Sequence, residues 1–227
     1  MRKIALSFSG KDSVLALYQV LQDPTLSVKY LIATVNQDHG RSSMHGIRET
    51  LLDAQAKSLG FELKKVYIPK DCTHEMYQSI MGAFNQQLLK DGIQGVVFGD
   101  LLLEDVKQYR EKMLQSVGLE AIFPLWGKET KEVVETFIHL GFKTLLCCID
   151  LDTLPLHYLG KHLDLELYQH LLAEGVDPAG ENGEYHSFVF DGPLFQWPIN
   201  ITLGQQRLVP DAETGKDRFC FIDVLAL

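Results

Sequence analysis

Residues 7–13, with the sequence Ser-Phe-Ser-Gly-Lys-Asp-Ser, carry groups that can bind a pyrophosphate. Three serines offer hydroxyl donors, Gly10 lets the backbone approach a ligand closely, and Lys11 supplies a cation. An apolar run precedes this segment and apolar residues at helical spacing follow it, which predicts a strand, a tight turn and a helix. Such a turn directs the first N–H groups of the helix, and the positive end of its dipole, toward one point. The segment therefore predicts an ATP-binding loop.

The alternative for residues 7–13 is a helix N-terminus without a ligand, because serine, aspartate and glycine are common at such ends. The segment fits neither G-x-x-x-x-G-K-[ST] nor G-x-G-x-x-G. It resembles the PP-loop, Ser-Gly-Gly-x-Asp-Ser, of ATP pyrophosphatases, which cleave ATP to AMP and pyrophosphate. Ser9 departs from that pattern: either it replaces the first family glycine or one glycine is deleted.

A second cluster of polar residues lies at 180–188, with the sequence Gly-Glu-Asn-Gly-Glu-Tyr-His-Ser-Phe. Two carboxylates, an amide and an imidazole stand here between glycines, directly before a predicted strand. The alternative for this segment is a turn whose polar side chains are simply solvated. Against that alternative, two glutamates this close repel each other unless a cation, a ligand amine or a hydrogen-bond donor compensates for their charge. The cluster therefore favours a site for a Mg²⁺-nucleotide or a polar substrate.

The segment 180–188, continued through Val-Phe-Asp-Gly-Pro to residue 193, resembles the C-terminal signature of the diphthine–ammonia ligase family. The Pro-Leu-Trp turn at 124–126 and the segment from Gly99-Asp100 to Tyr-Arg-Glu at 109–111 also resemble that family. The resemblance extends in order over nearly the whole chain. It implies an adenine-nucleotide α-hydrolase-like fold. It also implies an enzyme that uses ATP to adenylate a carboxylate, which ammonia then converts to an amide with release of AMP.

The resemblance, combined with the residue types, assigns roles along the chain. The loop would hold the pyrophosphate, Lys11 would neutralise its developing charge, and Asp12 would orient the loop or bind Mg²⁺. The expected cofactors are ATP and Mg²⁺. The predicted residues are, for nucleotide binding, Ser7, Phe8, Ser9, Gly10, Ser13, His45, Gly99 and Asp100; for catalysis, Lys11, Asp12, Glu181 and Glu184; and for substrate binding, Asn182, His186 and Arg110.

Four of these residues have structural alternatives. His45 and His186, taken singly, are as readily structural or exposed as catalytic. Arg110 would by default form a surface ion pair with a neighbouring glutamate on its helix, and Asp100 is equally suited to cap the next helix.

Composition narrows the class of protein. The chain has 227 residues and a net charge of −9, which argues against a broad nucleic-acid-binding surface. It has no run of about 18 apolar residues, so we expect no membrane span. A strand begins at the N-terminus, which leaves no room for a signal peptide, and we expect a cytoplasmic protein. The four cysteines form no C-x-x-C pair, so a disulfide framework, zinc site or iron–sulfur cluster is not expected.

Strand and helix patterns alternate along the first half of the chain. This alternation predicts an α/β fold: a Rossmann-like parallel sheet with helices on both faces and a ligand site at the carboxyl ends of its strands. The loop at 7–13, the polar loop at 36–45 and the turn at 99–100 all follow predicted strands. After residue 126 the alternation continues once, through a helix and an apolar run at 142–149, and the tail then reads as antiparallel β-structure, with 219–224 pairing back across a loop at 210–217.

Two parts are therefore predicted. Residues 1–126 would form the ATP-binding domain, and residues 127–227 a smaller α+β domain that binds the substrate and closes over the first.

The acceptor is not determined by these motifs. The short N-terminal half and the loop variant resemble the bacterial-type branch of the family, and the carboxylate could be a small molecule or borne on a protein. A sulfur-transferring PP-loop enzyme that modifies tRNA is one alternative, against which the acidic charge and the absence of a cysteine pair count. A nucleotide-binding regulatory protein without turnover is another. A homo-oligomer is compatible with all three.

Overall fold

The computed structural model describes residues 1–211 and 214–227, and these residues form ten strands and six α-helices. The strands are β1 (Arg2–Ser7), β2 (Leu26–Asn36), β3 (Arg41–Ser42), β4 (Glu62–Ile68), β5 (Gly95–Val97), β6 (Glu120–Ile122), β7 (Lys143–Asp150), β8 (Tyr185–Asp191), β9 (Ile201–Pro210) and β10 (Asp217–Ala226). The helices are α1 (Lys11–Leu21), α2 (Glu49–Leu59), α3 (His74–Lys90), α4 (Glu104–Gln115), α5 (Thr130–His139) and α6 (Leu165–Ala173).

Five parallel strands form the first sheet, as the alternating pattern predicts. β1 lies between β2 and β5, β2 also pairs with β4, and β5 pairs with β6. The two-residue strand β3 adds an antiparallel pair at the end of β2. Ile4, Ala5 and Leu6 of the central strand are fully buried, because helices cover both faces of the sheet.

Each face of the parallel sheet has its own core. On one face, α3 and α4 pack over a cluster that includes Met81, Leu88 and Leu114. On the other, α1 and α2 contribute to a larger core that continues into β7 and β8. α1 is therefore buried on nearly all sides, as at Leu15 and Leu17, because it lies between two sheets. The predicted fold class, an α/β fold with a second, smaller part, is confirmed.

The second sheet is antiparallel, with its strands in the order β8–β7–β10–β9. The apolar run predicted to continue the alternation forms β7, a central strand of this sheet that is buried from Thr144 to Asp150. The predicted pairing of the tail across a loop is observed between β9 and β10. That loop, at 210–217, includes residues 212 and 213, which lie outside the described residues.

Two other boundaries differ from expectation. Apolar spacing predicts a helix from about Ile47 to Leu59, and the observed helix α2 begins at Glu49 because Arg48 has a non-helical backbone with ψ of 138°. The loop predicted at 36–45 contains β3. Residue 126, the predicted domain boundary, lies in the connection between β6 and α5.

Hydrogen bonds and ion pairs join α2 and the β3 region to the second part. The buried Gln55 donates from Nε2 to the carbonyl oxygen of Val189 at 2.6 Å. Arg41 donates to Asp223 of β10 at 2.9 Å, and Arg48 donates to the same carboxylate at 2.5 Å and 3.0 Å. These contacts hold the antiparallel sheet beside the carboxyl ends of the parallel strands.

Candidate active site

A cavity of about 650 Å³ opens at the carboxyl ends of β1 and β5. Its walls come from the loop 7–13, the segment 43–45, the turn 98–100, helices α3 and α4, and the segment 179–187. The predicted residues that line it are Ser7, Phe8, Ser9, Gly10, Lys11, Asp12, Ser13, His45, Gly99, Asp100, Arg110, Glu181 and His186. A more open cleft of about 810 Å³ lies at the amino ends of β5 and β6 and is lined by none of these residues.

The loop 7–13 presents backbone donors to this cavity. Ser9 N–H is bonded to Ser13 Oγ at 2.9 Å, and Lys11 N–H is bonded to Ser187 Oγ at 3.1 Å. Within the described residues, the N–H groups of Gly10, Asp12 and Ser13 make no hydrogen bond. They stand at the start of α1, where free N–H groups and the helix dipole together favour an anion.

Two glycines allow this loop to pack closely. A Cβ atom at Gly10 would lie 2.6 Å from His45 Nε2 and 3.0 Å from Ser187 Oγ. A Cβ atom at Gly99 would lie 2.7 Å from the backbone of both Asp12 and Ser13. Gly10 thus lets the second half of the chain close on the loop, and Gly99 lets the end of β5 contact the first turn of α1.

Lys11 is a buried cation, with only 4% of its side chain exposed. Its Nζ lies 2.9 Å from Asp12 Oδ2, donates to the carbonyl oxygen of Ala179 and lies 5.1 Å from the centre of the Tyr185 ring. Burial alone would lower the pKa of Lys11, but Asp12, Tyr185 and Glu181 raise it above its ordinary value. The ammonium is therefore charged at neutral pH and held against the C-terminal half.

Asp12 and Glu181 bring two carboxyl groups to the cavity. Burial, followed by the charge of Asp12, raises the pKa of Glu181 to about 7, although Lys11 opposes the rise. Glu181 Oε2 accepts a hydrogen bond from Leu101 N–H at 3.3 Å. Asp12 Oδ1 is buried and has no hydrogen-bond partner among the described residues. A carboxyl group that titrates near neutral pH can exchange a proton during a reaction.

Asp100 and Arg110 form an ion pair at the wall of the cavity. Arg110 Nε lies 3.1 Å from Asp100 Oδ2, and the guanidinium lies 4.3 Å from the centre of the Phe98 ring. Burial raises the pKa of Asp100, while Arg110 opposes that rise. The helix-capping alternative for Asp100 is not observed, because the N-cap of α4 is Leu103. Arg110 pairs with this aspartate instead of a neighbouring glutamate.

His45 and His186 stand together although they are far apart in the sequence. Their ring centres are 4.7 Å apart, and both rings line the cavity. Burial lowers the pKa of His45 well below its ordinary value, and the charges of His186 and Lys11 contribute. Burial and Lys11 lower the pKa of His186 to about 4. Both imidazoles are therefore neutral at physiological pH.

Asn182 and Glu184 do not line the cavity. The buried Glu184 accepts hydrogen bonds from the backbone N–H and the side-chain Nδ2 of Asn182, both at 3.0 Å. In this arrangement the two side chains stabilise the turn that carries Glu181. Their predicted catalytic and substrate-binding roles stay predictions.

The apolar part of the cavity was not predicted from the sequence. Tyr77, Met81 and Asn85 of α3 line it, facing Phe98 and Val106. Asn85 is only 2% exposed, and its Nδ2 has no hydrogen-bond partner among the described residues. The signal for it lies in the spacing: Tyr77, Met81 and Asn85 are four residues apart, so an amide interrupts the apolar face of a helix.

Comparison with known families identifies the chain. A model of the diphthamide synthase N-terminal domain matches residues 1–121, and a model of the diphthamide synthase C-terminal domain matches residues 129–215. The chain belongs to the diphthamide synthase family. The predicted resemblance is thus confirmed, and this diphthamide synthase family member is an enzyme of the ligase kind.

Relatives of this family member are similar over most of its length. A diphthine–ammonia ligase of Mus musculus is 30% identical over 223 residues, covering 88% of this chain and 83% of the relative. A diphthine–ammonia ligase of Danio rerio is 28% identical over 226 residues, covering 88% of this chain and 86% of the relative. A third, of Schizosaccharomyces pombe, is 26% identical over 174 residues, covering 75% of this chain and 27% of the relative.

The donor set of the cavity suits Mg²⁺ held jointly with phosphates. Among the described residues, no three histidine, cysteine or acidic side chains are grouped as a protein-only metal site requires. Mg²⁺ is usually bound through one or two carboxylates together with substrate phosphates. The buried, unpartnered Asp12 Oδ1 beside the loop offers such a ligand. The residues present therefore fit the expected ion.

Over residues 1–211 and 214–227, no helix is both long enough and apolar enough to cross a bilayer.

Proposed function

We propose that this chain is an ATP-dependent, AMP-forming ligase that adenylates a carboxylate and converts it to an amide with ammonia. The observation that carries this proposal is the set of free N–H groups of Gly10, Asp12 and Ser13 beside the Lys11 ammonium, on the wall of one cavity. A helix N-terminus of this kind, with a buried cation beside it, suits a pyrophosphate group.

A loop that holds the β- and γ-phosphates makes pyrophosphate the leaving group. A carboxylate oxygen of the acceptor then attacks the α-phosphorus, and the bond to the pyrophosphate oxygen breaks. In the second step the ammonia nitrogen attacks the acyl carbon, a C–N bond forms, and the bond between that carbon and the phosphate oxygen of AMP breaks. The proton lost by nitrogen passes to Glu181, whose pKa of about 7 lets it accept a proton near neutral pH.

Asp12 would hold Mg²⁺ through its unpartnered Oδ1. The ion supplies charge neutralisation for the phosphates when bound. Asp12 Oδ2 meanwhile keeps its ion pair with Lys11. One aspartate would thus orient both cations of the site.

The apolar part of the cavity suits the adenine base. Tyr77, Met81 and Phe98 offer flat or adaptable apolar contacts, and the buried Asn85 amide can pair with the polar edge of a purine. An unpartnered amide donor in an apolar wall is costly unless a ligand accepts its hydrogen bond. Asn85 would therefore contribute to the choice of base.

The acceptor is a carboxylate, either a small molecule or a group on a protein. The relatives named diphthine–ammonia ligase make diphthine the first acceptor to test. The segment 179–187 of the second part lines the cavity. This supports a chain divided near residue 126, in which the first part binds ATP and the second part binds the acceptor.

The cysteines favour the ligase over a sulfur-transfer enzyme. Cys147, Cys148 and Cys220 are buried, and the fourth cysteine, the partly exposed Cys72, does not line the cavity. Burial raises the pKa of Cys147 well above its ordinary value and, with the charges of Cys220 and Asp150, that of Cys148 to about 12. Sulfur transfer requires a thiolate, and these environments disfavour one.

The test is product analysis with labelled ATP, Mg²⁺, ammonium and candidate acceptors, diphthine first. We expect AMP and pyrophosphate to appear only when an acceptor carboxylate is present, and formation of ADP instead would contradict the proposal. Lys11→Met and Asp12→Asn should lower AMP formation at least a hundredfold, since each removes charge from the loop. Lys29→Met, at an exposed lysine of β2, is the matched control and should leave the rate unchanged.

A further inference from the structure

Among the described residues, no hydrogen bond of normal geometry reaches a ring nitrogen of His45 or His186. His45 Nδ1 is buried without such a partner, although the Ser43 backbone is near enough to raise the pKa of His45 against the effect of burial. A neutral imidazole normally donates at one nitrogen and accepts at the other. Two neighbouring rings in the wall of a cavity, each with an accepting nitrogen that no described residue uses, are typical of a site that a polar ligand completes.

The positions of both rings are determined by the surrounding structure. Cys147 Sγ lies 3.4 Å from the backbone oxygens of both His45 and His186, and its single S–H can donate to either of them. On the other side, His45 Nε2 contacts Gly10, where a Cβ atom would approach to 2.6 Å. The pair is therefore fixed against the loop that would hold the phosphates of ATP.

The charge state of the pair selects a ligand that donates hydrogen bonds. Burial and the nearby Lys11 ammonium keep both imidazoles neutral, so each ring keeps one nitrogen that accepts. The same ammonium disfavours a second cation beside it. A small neutral molecule with several N–H groups meets both conditions.

Two other ligands fit less well. A transition metal needs three or four protein ligands, and the described residues place no third histidine, cysteine or acidic side chain in such a group. A phosphate oxygen would be held better by cationic donors, such as Lys11, than by neutral rings.

We propose that His45 and His186 form the ammonia subsite of this enzyme. The inference rests on the proposed function, because ammonia is the second substrate of that reaction. Ammonia donates N–H bonds to the accepting nitrogen of each ring and is held beside the loop on which the acyl-adenylate forms. The neutral environment favours NH₃, the nucleophilic form, over NH₄⁺.

The test uses the full-length protein with ¹⁵N-labelled histidine and needs neither ATP nor an acceptor. Ammonium chloride is titrated at pH 8.5 and constant ionic strength, with potassium chloride as the matched control, and the ring ¹⁵N resonances are recorded. We expect saturable shifts of His45 and His186 with ammonium and none with potassium. Equal shifts with potassium, or shifts with pyrophosphate and none with ammonium, would overturn the inference.

Histidine variants test whether ammonium binds at His45 and His186 and not elsewhere on the chain. His186→Phe keeps an aromatic ring and removes both nitrogens, so ammonium affinity measured at His45 should fall at least tenfold. His39→Phe, at an exposed histidine of the loop after β2, should leave the affinity unchanged. Where circular dichroism shows that His186→Phe does not fold, His45→Leu read at His186 serves the same purpose. An unchanged affinity in a folded variant contradicts the inference, whereas absence of AMP-forming turnover contradicts only the proposed function.

Discussion

Gly10 lies where the N-terminus of α1 contacts residues from both halves of the chain. It is the N-cap residue of α1, and its missing side chain leaves room for His45 and Ser187. Gly10→Ala places a methyl group 2.6 Å from His45 Nε2, so the His45 ring or the segment that carries it must move away from the loop. We expect ATP affinity, measured by isothermal titration calorimetry, to fall at least tenfold.

The control for that substitution is Gly127→Ala. A Cβ atom there would meet nothing within 4 Å, although its φ of 74° strains any other residue. It should lower thermal stability without a specific loss of nucleotide affinity. Equal losses of affinity in both variants would show that Gly10 has no special part in the loop.

Asn85 provides a test of base recognition. Asn85→Leu removes the buried amide and keeps side-chain volume, so an apolar wall replaces the polar edge that a purine would meet. We expect the preference for ATP over GTP in competition binding to drop about tenfold, since a paired base contact contributes about 1–3 kcal/mol. Asn200→Leu, at an exposed asparagine just before β9 and outside the cavity, should leave the preference intact.

Glu181 gives the reaction a pH dependence. Burial and Asp12 raise its pKa to about 7, while Lys11 lowers it and Asp100 adds to the rise. Since the ionised carboxylate accepts the proton, amide formation should increase as pH rises through about 7. Stopped assays of amide product between pH 5.5 and about 8.5, with total ammonium adjusted at each pH to hold the NH₃ concentration constant, measure this limb. In Glu181→Gln the limb should be absent, and in Glu132→Gln, at an exposed glutamate of α5, it should persist.

At the residue scale, the sequence predicts the members of the loop because their chemistry is local. The pairing of His45 with His186 cannot be predicted in this way, since the two rings meet only through the tertiary fold. Nor can spacing alone show that Glu184 bonds to Asn182 and not to a ligand. Asn85 was within reach of sequence analysis, because it interrupts an apolar helical face.

At the scale of elements, the end of β5 packs closely against the backbone of the first turn of α1, with Gly99 at the contact. Gly99→Ala would bring a methyl group within 2.7 Å of backbone atoms of Asp12 and Ser13, which cannot rotate away as a side chain would. We expect a loss of about 1–3 kcal/mol in unfolding free energy, measured with urea.

Gly82 of α3 is the matched control for Gly99. A Cβ atom at Gly82 would meet nothing within 4 Å, and the residue lies within a helix. Gly82→Ala should therefore stabilise the protein by about 0.4–1 kcal/mol. A destabilisation of similar size in both variants would contradict the role given to Gly99.

The elements of the parallel sheet are predictable because buried strands and amphipathic helices have distinct periodicities. β3 was missed because a two-residue strand has no period. The sequence also could not predict which sheet β7 joins. An apolar run indicates a strand that is buried on both faces, but it does not identify the neighbouring strands.

For the whole molecule, Asp223 is a principal link between the two parts. Hydrogen bonds from Arg48 and Arg41 hold its pKa below the ordinary value, against the effect of burial. Its contribution to stability is therefore complete above the unfolded pKa of about 3.9 and is lost as pH falls through the lower folded pKa. Asp223→Asn should lower unfolding free energy at pH 7 by about 1–2 kcal/mol.

Urea unfolding at pH 7 and pH 3 measures this link. The difference between the wild-type protein and Asp223→Asn should narrow at pH 3, because that pH lies below the unfolded pKa and protonation of Asp223 in the unfolded state offsets part of the ion pairs' contribution. Asp217→Asn, at an exposed aspartate of the same strand, is the control and should have little effect. A difference that does not change with pH would show that the ion pairs do not carry the effect.

The contact of Lys11 with the carbonyl oxygen of Ala179 has a thermodynamic consequence. The ammonium that would neutralise pyrophosphate is, without nucleotide, a ligand of the segment that would meet the acceptor. Occupancy of one site therefore changes the free energy of the other, and by linkage the effect is equal in both directions. An acceptor that draws the segment 179–187 away from Lys11 strengthens or weakens ATP binding by the same factor that ATP imposes on the acceptor. A single lysine would thus couple the binding of the two proposed substrates.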